Sequence, residues 1–268
     1  VLNTYAGMGD WPGNNWRAGR DQSPGGIWRF VFWDAEWGMG IYGRSPTEIN
    51  NFSNGLHDSS EISRLYRSLR DSAEFRLLWA DRVQKHFYNG GALMGASITN
   101  RFRELETELV QIIPSMNPEI LNWVANRWPT YLSQMTSEGL QSSVVAPNFN
   151  QHGGRVAPGF NLTITAPAGT IYYTTNGSDP RVAFTGAVSP SALTYSGAVP
   201  LNNTVGIRAR ARNGSTWSAI NEATFTVGSL GIPLRITEIM YNPSGGSLYE
   251  FIELQNTSGV AVNLGGMY

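Results

Sequence analysis

The sequence predicts a multidomain α+β protein, with a mainly helical part, then an antiparallel β-sandwich, then the beginning of a further β unit. Three observations carry this reading. Apolar residues recur at helical spacing from about residue 58 to about 140. A stretch rich in Ser, Asn, Gly and Pro follows at 141–158. Beyond it helical patterning stops, and short β-branched and aromatic segments alternate with turn residues.

The bulk composition narrows the function classes. The 268 residues are enough for about two domains or three small ones. Apolar residues make up 41% and charged residues 15%, and the net charge is -1. No basic surface argues for nucleic acid or an acidic membrane. No segment approaches the roughly 20 apolar residues of a membrane span. Cysteine is absent, which excludes disulfides and thiolate metal sites. Such a chain fits the cytosol or a secreted bacterial protein that does not rely on disulfides. Lys85 is the single lysine, so arginine carries nearly all positive charge. The chain starts at Val1 without a methionine or signal peptide and stops at Asn263–Tyr268 without a closing element. The expectation is a fragment of a longer protein.

In chain order, residues 1–20 read as loop, punctuated by Gly7, Gly9, Pro12 and Gly13. Residues 27–33 read as a strand, Gly38–Gly43 as a short strand or turn, and 44–58 as polar loop. Asp58-Ser59-Ser60-Glu61 has the capping-box pattern, and Ile62, Leu65, Tyr66 and Leu69 then form one stripe. A second helix runs from Ser72 through Phe75, Leu78, Trp79, Val83 and Phe87 to Asn89-Gly90-Gly91. A third covers about Ile98 to Ile113, a fourth opens at Asn117-Pro118, and a fifth starts at Pro129. After the linker, Leu162–Thr165, Thr170–Tyr173, Val205–Arg210 and Ala223–Val227 read as strands of a small antiparallel sandwich. Tyr172 and Tyr173 are strand neighbours on opposite faces, so one belongs to the core while the other is open to a sugar ring. Leu234–Met240 and Glu250–Gln255 are two strands around Asn242–Gly246, too few to close a core alone.

One pair of segments stands out chemically. Gly9-Asp10-Trp11-Pro12-Gly13-Asn14-Asn15-Trp16 is a polar loop with an Asp and two Asn, and Trp28–Trp33 is an apolar run ending at Asp34. A strand that delivers a carboxylate to a polar loop makes a plausible magnesium and phosphoryl-transfer site. The plainer reading of the same residues is a surface turn beside a buried strand. His57, His86 and His152 are isolated and no HExxH pair exists, so a zinc hydrolase has no support. Glu104, Glu106 and Glu108 read as solvated helix residues.

Residues 1–142 resemble the C-terminal part of the CotH-type (spore-coat) kinase family. The resemblance rests on Asp10–Trp16, on Trp28-Arg29-Phe30 leading to Trp33-Asp34, on Phe75-Arg76 with Ala80-Asp81-Arg82, and on Asn89-Gly90-Gly91. It implies a kinase-like C-lobe fragment and ATP-dependent phosphorylation of protein hydroxyls with Mg²⁺, typically on secreted or coat proteins. Asp10 matches the catalytic base. Asn15, five residues on, matches the metal-binding Asn of a kinase catalytic loop, with Asn14 as a competitor. Asp34 matches the metal aspartate that bridges Mg²⁺ to the nucleotide phosphates. Glu36, two residues further in an extended segment, would add a further metal or supporting carboxylate. A kinase also needs a lysine on an N-lobe strand, and Lys85 sits in a helical pattern instead. The nucleotide-holding lobe is therefore expected before Val1, and this fragment alone is expected not to turn over ATP.

Residues 143–229 resemble the chitobiase/hexosaminidase C-terminal type of β-sandwich, through Gly169–Arg181, Ile207–Ala211 and Trp217-Ser218. Residues 230–268 resemble the start of a lamin-tail-type immunoglobulin-like domain, truncated at Tyr268, through Ile236–Pro243 and Glu250–Asn256. This order of modules resembles large secreted bacterial proteins, so an extracellular or cell-surface location is expected. Two functions compete. One is an atypical protein kinase acting on a protein substrate. The other is a surface or adhesion protein with an inactive kinase-like scaffold and β modules that contact glycans or proteins. A metal-dependent hydrolase built on Asp10, Asp34 and Glu36 is weaker, because no histidine is placed to activate water.

Overall fold

A computed structural model describes residues 1–53, 56–113, 115–228, 233–259, 261, 262 and 264. It contains a helical part and a β-rich part, as the patterning predicts. The expected junction at 229–230 and the chain end at 265–268 lie outside the described residues.

The first twenty residues are not all loop. Helix α1 spans Leu2–Ala6, and its exit at Gly7 is left-handed (φ 64°) with Trp123 packed so close that a Cβ would sit 2.6 Å from the indole. Strand β1 (Trp16–Arg20) pairs antiparallel with β2 (Trp28–Phe32), with Trp16 opposite Phe32 and Arg20 opposite Trp28. Strand β2 is exposed at every position rather than buried. Among the described residues the two strands form an isolated ribbon, and Trp28 and Val31 are 59% and 61% exposed.

Helix α2 (Glu61–Leu69) starts two residues later than the capping box implies. Ser60 is the N-cap, its hydroxyl accepting from the Ser63 N–H at 3.3 Å, while Asp58 accepts from the Ser60 N–H and hydroxyl. Helix α3 spans Ala73–Phe87 and ends at Asn89 and Gly90, both at positive φ. Helix α4 (Gly95–Leu109) stops short of the predicted Ile113, and Ile112 is 79% exposed.

The predicted fourth and fifth helices are one, α5 (Glu119–Ser137), with Pro129 inside it. An interior proline costs a helix about 3 kcal/mol. The helix continues because Trp123, Arg127, Tyr131 and Met135, each four residues from the last, form one fully buried stripe across the proline. Arg127 fixes that stripe. Its guanidinium donates to the carbonyls of Thr4, Tyr5, Pro46 and Ile49 and to the Gln134 side chain, and it lies over the rings of Trp123 and Tyr131. Burial holds its pKa down, to about 10. Phe52 and Leu56, from the segment read as polar loop, complete this core at 1% exposure each.

The 141–158 stretch belongs to the β part rather than linking to it. Strand β3 (Asn148–Phe149) pairs with β6 (Ile164–Thr165), and β4 (Gly154–Val156) joins β12 (Asn221–Val227) in parallel. The main sheet runs β4-β12-β10-β7-β8, where β7 is Thr170–Thr174, β8 Leu193–Thr194 and β10 Val205–Asn213. Strand β11 (Thr216–Trp217) pairs with β10. The predicted strand Leu162–Thr165 is split: β5 (Phe160–Leu162) pairs with β9 (Val199–Leu201), while β6 goes to β3. Leu162, Ile164 and Leu201 from these short pairs share one core with Tyr173, Ile207, Ala209 and Phe225 of the main sheet, which makes a two-layer sandwich. Tyr173 is the core member of its pair, and Tyr172 packs on Trp217 with ring centroids 5.5 Å apart. Strands β13 (Leu234–Met240) and β14 (Phe251–Asn256) form a separate antiparallel ribbon, exposed along most of its length.

The helical part and the sandwich are fastened through α3. Glu74, Asp81 and Lys85 lie on one face of that helix. Arg210, 2% exposed on β10, donates both ends of its guanidinium to Asp81 at 2.7 and 2.8 Å and a further pair of bonds to Asp179. Asp81 also accepts from the Ile220 N–H at 2.8 Å. Arg181 and the Phe184 N–H hold Glu74, and Lys85 reaches Glu222 at 2.7 Å. Ala80, Ala146 and Ala219 meet between these polar contacts, where small side chains let helix and sheet come close.

Candidate functional site

The loop and the strand meet as the carboxylate-delivery reading requires. Asn15 is 8% exposed, and its amide nitrogen donates to Asp10 at 2.9 Å and to Asp34 at 3.3 Å. Because one nitrogen serves both, the two carboxylate oxygens lie closer together than the sum of those distances. That is within the roughly 10 Å that one Mg²⁺ with its waters and phosphates can bridge.

Local backbone geometry explains how residues five and nineteen positions apart converge. The Asn14 N–H returns to the Asp10 carbonyl at 2.9 Å, closing the loop. Trp16 Nε1 donates to the Pro12 carbonyl at 2.9 Å, and the Trp33 N–H to the Asn15 carbonyl at 3.2 Å. The β1–β2 pairing then brings the end of β2 back beside the start of β1. Asn15 (φ 60°) and Asp34 (φ 57°) are both left-handed, a conformation that Asn and Asp tolerate better than other non-glycine residues. Gly9 is required by close approach, since a Cβ there would meet the Trp37 ring at 2.8 Å and Arg44 at 3.0 Å.

The other candidates separate from this cluster. Asn14 is exposed and contributes backbone rather than side chain. Glu36 lies in a 3-10 turn, Ala35–Trp37, rather than in the extended segment expected after Asp34. Among the described residues no three His, Cys, Asp or Glu side chains group as a metal cluster, so Glu36 does not join Asp10 and Asp34 in one. Lys85 is on α3, engaged with Glu222, away from the loop.

Sequence reasoning missed Arg44. Its guanidinium is close enough to Asp10 to feel that carboxylate, although burial is the stronger influence and lowers its pKa. Its Nε is buried without a hydrogen-bond partner among the described residues. No spacing links Arg44 to the Asp10 loop. A glycine-rich turn, Gly38 to Gly43, carries it there.

The residues present suit a hard cation. Two carboxylates and an amide oxygen are oxygen donors of the kind Mg²⁺ takes, and Mg²⁺ commonly uses one or two protein carboxylates with phosphate oxygens and water filling its shell. In the present arrangement the Asn15 amide turns its nitrogen to the carboxylates. To offer oxygen to a metal it must turn over and give up both bonds.

Comparison with known proteins bears on the sandwich. Residues 160–225 match the family described as Fn3 associated, a span from β5 into β12 that marks this segment as a β-sandwich module. The match covers a minor part of the chain and leaves the Asp10 loop outside it. No curated protein matches the chain. Among the described residues no helix is long and apolar enough to cross a membrane.

Proposed function

We propose that residues 1–142 are the C-terminal part of a CotH-type atypical protein kinase, which transfers a phosphoryl group from ATP to a protein hydroxyl outside the bacterial cell. The observation that supports this reading is the Asn15 amide, which gathers Asp10 and Asp34 into one cluster at the kinase offset of five residues. In this reading Asp10 accepts the hydroxyl proton of the protein substrate. Asn15 and Asp34 would hold Mg²⁺, which would supply charge neutralisation for phosphoryl transfer. Residues 143–229 are then an accessory sandwich of chitobiase C-terminal type, and 230–268 the opening of a lamin-tail-type immunoglobulin-like domain.

A second reading has its own support. Lys85 is occupied by Glu222 at the junction with the sandwich, so these residues supply no strand-borne lysine for the phosphates. A kinase-like scaffold in a surface protein, with the sandwich as interaction module, fits that. The full-length protein separates the two. As a kinase it binds Mg·ATP and phosphorylates protein, and Asp10→Ala lowers transfer about a hundredfold or more at unchanged melting temperature. Failure of the full-length protein to bind Mg·ATP, or an undiminished rate in Asp10→Ala, overturns the kinase reading.

A further inference from the structure

A cleft of about 720 Å³ opens where α3 meets the sandwich, in the size range of small-molecule sites. It is separate from the Asp10 loop. One wall is α3 and its exit turn, the other is β10 and β12. Its lining holds four cations, Arg82, Lys85, Arg208 and Arg210, and three carboxylates, Asp81, Asp179 and Glu222. Glu222 is the shared partner of two cations, Lys85 at 2.7 Å and Arg208 at 3.0 Å. Arg82, on the helix wall, is exposed and has no hydrogen-bond or ion-pair partner among the described residues. One carboxylate therefore faces three cations around the mouth.

The opposite charge is nearby but committed. Asp81 and Asp179 also line the cleft, yet their oxygens are taken by Arg210 and by the Ile220 N–H.

The remaining lining says what kind of anion fits. Gln84 presents a side-chain amide, donor and acceptor side by side, with no partner among the described residues. Tyr88 is 42% exposed and adds an aromatic ring to the lining, set at 84° to the Trp128 ring. A bare oxyanion needs neither an acceptor nor a ring. A sugar acid uses all of these groups: hydroxyl pairs on Gln84 and Glu222, a ring face on Tyr88, and a carboxylate on Arg82. We propose that this cleft binds a uronic-acid oligosaccharide, with Arg82 as the carboxylate contact.

The test is calorimetric titration of the purified protein with trigalacturonate, with neutral galactotriose and a polyglutamate peptide as comparisons. Trigalacturonate should bind, galactotriose should bind at least about tenfold more weakly, and raising salt should weaken the acidic ligand. Arg82→Ala should cost about tenfold in affinity for trigalacturonate with no change in melting temperature, since Arg82 holds nothing in the fold. No binding of trigalacturonate, or equal binding by Arg82→Ala, overturns the proposal. Binding of polyglutamate in preference to the saccharide would make the cleft a peptide site and overturn it equally.

Discussion

At the scale of residues, Asn15 is the hinge of the candidate site. It is the donor that lets two carboxylates sit together, and like charges that close are otherwise unfavourable. Asn15→Asp removes the donor and adds a third carboxylate. Without metal, the variant should lose about 1–3 kcal/mol of stability. Added Mg²⁺ should restore it, giving a larger Mg²⁺-dependent rise in melting temperature than the unaltered protein shows. Thermal melts with and without Mg²⁺ read this directly, and equal melting of the two proteins would remove the bridging role. Asp10 and Asn15 were legible because their offset is local. Asp34 was legible because it ends an apolar run. Arg44 was not, because nothing in a linear pattern says that a turn thirty-odd residues on will fold back beside Asp10.

At the scale of elements, helices were legible where a 3.6-residue stripe is unbroken, and misread where a local rule was outweighed. Pro129 argues for a break, but the buried stripe and the Arg127 bonds on either side outweigh one missing N–H. Strand β1 was missed because Gly19 and Arg20 cut short the alternation begun by Trp16 and Ala18, and its pairing with β2 makes it a strand. Helix α3 carries a prediction of its own. Glu74 is held below its usual pKa of 4.5, first by the Arg181 guanidinium and also by the Phe184 N–H. Glu222 is held below the same value, first by Lys85. Carboxyls depressed in the folded state contribute stability above their unfolded value, and that contribution fades as pH falls through the folded one. The protein should therefore destabilise as pH drops below about 4.5. Glu74→Gln should cost about 2 kcal/mol at pH 7 and flatten part of the acid slope. Denaturant melts across pH 3–7 check both, and an unchanged slope in Glu74→Gln would mean that the junction is not acid-sensitive through this pair.

At the scale of the whole molecule, the order of a helical part before a β-sandwich was legible, because the repeat of apolar residues changes from helical to strand spacing. How the two are joined was not. Asp81 and Arg210 are 129 residues apart, and each stood in a separate motif with no sign of the other. The supposed linker hid two strands, because Gly and Pro mark turns but say nothing of a parallel edge such as β4. The sandwich thus holds α3 by partly buried ion pairs, and α3 packs in the same core as α5. That core positions the loop from which Asp10 and Asn15 project. The central claim is that this loop, with Asp34, holds a metal on nucleotide phosphates. The anomalous signal of Mn²⁺, substituted for Mg²⁺ in crystals of the full-length protein with ADP, tests it most directly. The account predicts one ion about 2.1 Å from an Asp34 oxygen and from the Asn15 side-chain oxygen, with the amide turned over and Asp10 free for substrate. Mn²⁺ located elsewhere, or an Asn15 nitrogen still bonded to both carboxylates with nucleotide present, would contradict it.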